Sequence, residues 1–321
     1  MQISLSEDQR RAMWAEPPCE IPYPNEDGWK INLSKPDWLK VRLQTNLDYS
    51  RVKKILAEGS LHTVCREAQC PNSSECWSLG TATFIIMGDI CTRSCAYCAV
   101  KKGHPLPLDD DEPDRVAEAV AKLKLDYAVI TSVDRDDLPD GGAEHFAKVV
   151  ERVKERNDGV KVEVLIPDFA GDKDSLGRLL RSNPDVLNHN TETVPRLYKR
   201  LRSKGIYVRC LELLRRSKEM TDGKMITKSG LMVGLGESNA EVIEVMDDLR
   251  KVGVDILTIG QYLRPSLKNV PVMKYRTLEE FQFYVEEGLK RGFKFVESAP
   301  LVRSSYRAKT HVESLLGKDY K

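Results

Sequence analysis

The sequence predicts an α/β fold: a partial (β/α)6 TIM-type barrel with an N-terminal extension and a C-terminal extension. Two observations predict it. From about residue 82, short apolar, β-branched runs alternate with amphipathic helical stretches, the pattern of right-handed βαβ units around a parallel sheet. Each unusual polar cluster also follows one of those runs. All of them therefore fall at the C-terminal ends of strands, where an α/β barrel assembles its active site. Alternation alone fits a doubly wound sheet equally well; the placement of the polar clusters favours the barrel.

Residues 1 to about 80 show no repeating pattern. They carry Pro17, Pro18, Pro22, Pro24 and Pro36 and all four tryptophans, Trp14, Trp29, Trp38 and Trp77. This reads as an extension wrapped on a core, with one helix predicted over Tyr49–Ala57 from Val52, Ile55 and Leu56. Strands are predicted at Thr83–Met87, Tyr127–Thr131, Val160–Ile166, Asp185–Asn188, Met225–Leu235 and Asp255–Ile259, with Phe293–Glu297 as a candidate seventh. Helices fill most intervals. In Val116–Leu125 the apolar residues Val116, Ala119, Val120 and Leu123 repeat at three and four, and Val242, Val245, Met246 and Leu249 do so in Glu241–Val252.

The polar clusters follow in step: Gly88-Asp89, Ser132–Asp137, Asn188–Glu192, Gly234–Glu237, Gln261–Pro265 and Arg303–Tyr306. Taken singly, each has a plainer reading. Asp134–Asp137 reads as a solvated turn, Asn188 and Asn190 as turn formers, and Ser304-Ser305 as a helix cap. The Gly234–Gly236 stretch lacks the Lys of a phosphate-binding loop. His104 and His145 read as structural.

The chain has 321 residues, with 50 Lys+Arg against 49 Asp+Glu and a net charge of +1. That balance, with an isoelectric point near 7.5, argues against nucleic acid or an anionic membrane as partner. Hydrophobic residues make up 41% and charged residues 31%, enough for a globular core. No apolar run approaches the roughly 18 residues of a spanning helix. Met1–Arg11 lacks the apolar stretch of a secretory signal, and Glu7 and Asp8 do not suit a transit peptide. The expectation is a soluble cytoplasmic protein.

Six of the eight cysteines fall between residues 65 and 98, in two threes: Cys65-x4-Cys70-x5-Cys76 and Cys91-x3-Cys95-x2-Cys98. Structural zinc takes four ligands, so each set is one short. Zinc completed by His62, His104 or the other set's cysteines stays open at this point. A four-iron cluster on three thiolates leaves one iron free to bind a substrate or cofactor. Cys19 and Cys210 read as incidental small hydrophobes.

Cys91-Thr92-Arg93-Ser94-Cys95-Ala96-Tyr97-Cys98 resembles the signature of the radical S-adenosylmethionine (radical SAM) superfamily. More narrowly, the chain resembles the lipoyl synthase family from about Lys35 to Ala308. The likeness rests on both cysteine sets, Asp134–Phe146, Asn188-His189-Asn190, Gly230–Glu237, Ile259–Leu263 and Arg303-Ser304-Ser305-Tyr306. Thr191, Arg264 and Arg209-Cys210 depart from the family pattern without touching an implied ligand.

The resemblance implies two 4Fe–4S clusters and S-adenosylmethionine. Cys91, Cys95 and Cys98 would hold the cluster that binds and cleaves S-adenosylmethionine, with Tyr97 near the adenine, Asn190 in the cofactor pocket and Glu237 on the adenosyl side. Cys65, Cys70 and Cys76 would hold an auxiliary cluster whose fourth ligand is Ser305, with Ser304 as the alternative. The implied reaction is sulfur insertion at C6 and C8 of a protein-bound octanoyl-lysine, with the auxiliary cluster as sulfur donor. Implied partners are octanoylated lipoyl carrier domains (2-oxoacid dehydrogenase E2 subunits and the glycine cleavage H protein) and an electron donor such as flavodoxin or ferredoxin. The implied organisation is an extension over 1–80, a barrel over 81–300 and a tail over 301–321.

Overall fold

The computed structural model describes residues 5–22, 33–41 and 45–316. Pro24, Trp29 and the last five residues of the expected tail lie outside them.

The N-terminal stretch forms α1 (Glu7–Trp14), α2 (Leu47–Glu58), β1 (His62–Thr63), α3 (Val64–Glu67) and α4 (Ser73–Ser78). The helix expected over Tyr49–Ala57 is α2, started by Asn46, whose side chain accepts from the Tyr49 amide. Strand β2 (Thr83–Ile86) opens the barrel. A short parallel pair, β3 (Ile90–Cys91) and β4 (Lys101–Lys102), precedes α5 (Glu112–Leu123).

The remaining units are β5 (Tyr127–Ser132) with α6 (Ala143–Arg156), β6 (Lys161–Leu165) with α7 (Lys173–Arg181), and β7 (Val186–Asn188) with α8 (Tyr198–Leu201) and α9 (Tyr207–Glu219). Then come β8 (Ile226–Val233) with α10 (Asn239–Lys251), β9 (Ile256–Gln261) with α11 (Leu278–Lys290), β10 (Phe295–Ala299) and α12 (Ala308–Leu316). Both α10 and α11 begin with capping boxes, Ser238 with Glu241 and Thr277 with Glu280, each satisfying two orphan amides.

One eight-stranded sheet runs β1-β2-β5-β6-β7-β8-β9-β10. Only the β1–β2 pairing is antiparallel; the other seven strands are parallel, in chain order. The order never reverses, as it would in a doubly wound sheet. Six strand–helix units and a seventh strand therefore make the expected partial barrel.

The extension wraps the barrel. Trp14 packs edge-on against Phe283 at 5.9 Å, and Glu16 accepts from Arg276 at 2.7 Å. Across the molecule, α12 covers the N-terminal ends of the strands, setting Ala308 and Val312 against Tyr127, Val129, Val186 and Ile256. Inside the barrel, the Lys228 ammonium meets Glu163 at 2.9 Å with both side chains wholly buried. Glu163 also accepts from Tyr127 Oη at 2.7 Å and Asn188 Nδ2 at 3.2 Å, so the buried carboxylate is fully partnered. No helix among the described residues is long and apolar enough to cross a membrane.

Candidate active site

The Cys91, Cys95 and Cys98 set follows β2 at the C-terminal end of the barrel, whereas the Cys65, Cys70 and Cys76 set lies beside the starts of β2 and β5, near Thr83 and Tyr127; each is fixed by contacts remote in sequence. The loop bearing Cys95 and Cys98 is pinched at its base by β3 and β4. The Ala96 amide donates to Leu201 O at 2.8 Å, and Ala96 O accepts from the Val270 amide at 3.1 Å. Asn269 Nδ2 donates to Ala96 O and Cys98 O at 3.1 and 3.0 Å.

Beneath the loop, Arg93 is nearly buried and bonds Asp136 and Asp168 at 2.7 and 2.6 Å, with Asp134 at 3.3 Å. The Asp134–Asp137 cluster is thus more than the solvated turn it resembles in sequence. Asp134 and Asp136 anchor the arginine between two cysteines, and only Asp137 serves the turn, paired with Arg135 at 2.8 Å.

The other set rides on α3, the following loop and α4. The C-terminal tail comes to it across more than 200 residues of sequence. Asn72 Nδ2 donates to Leu301 O at 2.7 Å, and Tyr306 Oη donates to Glu75 at 2.8 Å. Two glycines admit the tail: a Cβ on Gly260 would meet Val302 O at 2.0 Å, and one on Gly230 would meet Asn190 Oδ1 and Ser304 Oγ, each at 2.6 Å.

Three cavities follow. A side cavity of about 130 Å³ is lined by Cys65, Cys70, Cys76, Arg303 and Ser305. A second, of about 180 Å³, is lined by Cys91, Cys95, Cys98, Tyr97, Asn190, Glu192 and Arg202. The lumen, about 480 Å³, borders both: its lining includes Cys70, Arg303, Ser304 and Ser305 together with Tyr97, Cys98 and Asn190. Its apolar lining includes Ile85, Leu231, Met232, Tyr262 and Leu263.

The adjacent serines are chemically distinct. Ser304 Oγ donates to Asn190 Oδ1 at 2.8 Å, whereas Ser305 lines the side cavity with the three thiols. Tyr97 and Asn190 line both the second cavity and the lumen. Glu237 is not among the residues lining any of the three. Its carboxylate accepts from the Gly234 and Leu235 amides at 2.6 and 2.9 Å and pairs with Arg276 at 3.0 Å. His145 is structural, bonded to Glu112 at 2.7 Å.

Burial governs how the thiols titrate. Burial, then neighbouring Cys70, pushes Cys65 up to about 11; burial, then Cys65 and Cys70, pushes Cys76 up to about 12. Burial and Asp134 raise Cys91 to about 11, and burial raises Cys98 to about 12. Such thiols are protonated until a cationic metal core takes them as thiolates. A single tetrahedral zinc would need its sulfurs roughly 3.8 Å apart. Among the described residues, the one group of three metal-ligating side chains whose donor atoms all lie within 4.8 Å is His62, Glu67 and Asp89, with no cysteine in it. Wider thiol triads around a cavity fit a multi-iron cluster.

Glu192, Arg202 and Arg93 are the polar groups of this site that sequence reasoning did not single out. Glu192 lay within a polar cluster, but Arg202 follows a helix and carried no signal.

The family description for the radical SAM superfamily matches residues 85–249, and that for the N-terminal domain of lipoyl synthase matches residues 5–70. Lipoyl synthase of Caldanaerobacter subterraneus subsp. tengcongensis is 56% identical over 278 residues, covering 87% of this chain and 97% of its own. Lipoyl synthase of Caldicellulosiruptor saccharolyticus shows the same identity and coverage, and that of Bacteroides fragilis is 52% identical over 87% of this chain and 96% of its own. Among solved structures, the FeFe-hydrogenase maturase of Carboxydothermus hydrogenoformans shares the fold at TM-score 0.51 and 16% identity, covering 73% of this chain and 65% of its own. Methylornithine synthase does so at TM-score 0.50 and 15% identity, covering 69% and 72%.

Proposed function

The chain belongs to the lipoyl synthase family of the radical SAM superfamily, and from that premise we propose how its residues divide the work. The activity is insertion of two sulfur atoms at C6 and C8 of a protein-bound N6-octanoyl-lysine, a sulfurtransferase reaction that forms the lipoyl cofactor. When bound, one 4Fe–4S cluster with S-adenosylmethionine supplies the radical that breaks unactivated C–H bonds, and the auxiliary cluster supplies the sulfur.

Cys91, Cys95 and Cys98 hold the first cluster, with Tyr97 and Asn190 shaping the S-adenosylmethionine pocket. Supporting this, both residues line the cavity beside those thiols. Glu237 serves the adenosyl side one step back, by holding the amides of the Gly234–Gly236 turn. Cys65, Cys70, Cys76 and Ser305 hold the auxiliary cluster. What favours Ser305 over Ser304 is that the Ser304 hydroxyl is already committed to Asn190. An oxygen ligand on a soft cluster is the weakest of the four, which suits a cluster that must yield sulfur.

The apolar lumen binds the octanoyl chain, orients it and excludes water. The observation that carries the reading is this one space, whose lining includes Cys70 and Ser305 as well as Tyr97 and Cys98. A chain lying in it reaches both cysteine sets without leaving the barrel.

The carriers we assign are octanoylated lipoyl domains, specifically 2-oxoacid dehydrogenase E2 subunits and the glycine cleavage H protein, with flavodoxin or ferredoxin as electron donor, in the cytoplasm. The extension over 1–80 and the tail over 301–321 serve the 81–300 barrel as cluster-binding and docking segments. The test is anaerobic turnover of an octanoyl-lysine peptide with S-adenosylmethionine. The expected product is a lipoyl peptide, with one deoxyadenosine per C–S bond; deoxyadenosine without any C–S bond would refute the sulfur-donor role.

A further inference from the structure

The side cavity that holds Cys65, Cys70, Cys76 and Ser305 has a second face. Of its lining it shares only Val64, Cys70, Arg303 and Ser305 with the lumen. Its far wall reaches the surface at Thr81, Asp126, Arg307 and Lys309, all exposed. We propose that this outer mouth is the loading port of the auxiliary site, through which iron and sulfide reach the three thiols while the lumen remains the path of the substrate. The proposal rests on the reading of that site as a sulfur donor: a donor emptied into each product must be refilled.

The two faces are fastened differently. Where the tail enters, it is held by the part-buried Asn72–Leu301 bond, and on the lumen side by backbone contact over Gly260. On the outer side Tyr306 bonds Glu75 and Ala308 and Val312 pack on the core, and the mouth itself is spanned by two ion pairs, Lys309 with Asp126 and Arg307 with Glu75. Lys309 and Asp126 are 46% and 72% exposed, and exposed pairs of this kind hold weakly and are screened by salt. Arg307 also sits at φ +51°, a conformation L residues rarely adopt. It is kept there by Glu75 and by the face of Tyr306, 5.0 Å away. The Lys309 and Asp126 side chains can therefore part and widen the mouth while α12 and the lumen wall stay packed.

Asp126 allows a two-way test, because Asp126→Asn removes the pair and Asp126→Trp adds bulk at the same exposed position. Holoenzyme is taken through one turnover with an octanoyl-lysine peptide, desalted, and given isotopically labelled iron with sulfide and dithiothreitol. Mössbauer spectroscopy follows labelled four-iron cluster with time. Asp126→Asn is expected to take up label severalfold faster than wild type, with less acceleration by salt, and Asp126→Trp severalfold slower. All three should give equal product in the first turnover. Equal uptake rates in all three would overturn the port. Wild type that takes up no label because it lost no iron would overturn the sulfur-donor reading beneath it.

Discussion

Ser304→Ala and Ser305→Ala separate two hydroxyls that sequence alone cannot rank. Ser304 Oγ makes one neutral hydrogen bond, to Asn190 at 2.8 Å, worth roughly 0.5–1.5 kcal/mol, or about two- to tenfold in an equilibrium constant. Ser304→Ala should therefore weaken S-adenosylmethionine binding by no more than that, acting through Asn190, and leave iron content unchanged. Ser305 instead lines the cavity of the three thiols. Ser305→Ala should release iron and sulfide from the auxiliary site during gel filtration while S-adenosylmethionine cleavage persists. Ser305→Cys should retain the iron, because thiolate suits a cluster better than alkoxide, yet form less lipoyl product. The assay is iron and acid-labile sulfide per chain, alongside deoxyadenosine release. Iron lost from Ser304→Ala but kept by Ser305→Ala would refute the assignment.

Three further outcomes follow from the geometry. Lys228→Met leaves the Glu163 carboxylate buried without its cation and should destabilise the apoprotein by about 3–5 kcal/mol; Lys228→Met with Glu163→Leu should recover part of that loss in a denaturant titration. His311 is buried, and burial followed by the charge of Lys228 lowers it from 6.5 to about 2. A depressed folded-state value means the unfolded chain binds the extra proton, so this stability is present above pH ~6.5 and lost as pH falls towards 2. His311→Phe should flatten that slope in melting curves taken between pH 7 and about 5. Asn269→Ala removes the side-chain donor to the carbonyls of Ala96 and Cys98, leaving Ala96 O only the Val270 amide, and should change the electron paramagnetic resonance signal of the S-adenosylmethionine-bound cluster more than it changes peptide KM; an unchanged spectrum would count against the positioning role.

Much of this was legible because the barrel writes itself into periodicity. The runs at Tyr127–Thr131 and Asp255–Ile259 became strands within a few residues, since buried parallel strands need continuous apolar, β-branched sequence. The cysteine sets were legible from spacing. What spacing could not show was long-range approach. Ser305 reaches the first set only because Asn72, Glu75 and two glycines receive the tail. Asp134 and Asp136 looked like turn residues because their partner, Arg93, lies 41 and 43 positions earlier in the chain. Glu237 carried the same motif signal as a cofactor contact, yet its carboxylate is committed to the backbone of its own turn. Cys210 looked incidental, but it is wholly buried beside His189, Tyr198 and Arg202, and the charges of His189 and Arg202 hold it down to about 7 despite burial.

The central claim is that two four-iron clusters border one lumen. It is tested most directly by anomalous diffraction at the iron edge on anaerobic crystals of the reconstituted enzyme. The account predicts two four-iron peaks, one bound by Cys91, Cys95 and Cys98, the other by Cys65, Cys70 and Cys76 with Ser305 Oγ completing it. A single iron site, zinc at the first set of cysteines, or a second cluster turned away from the lumen would contradict it.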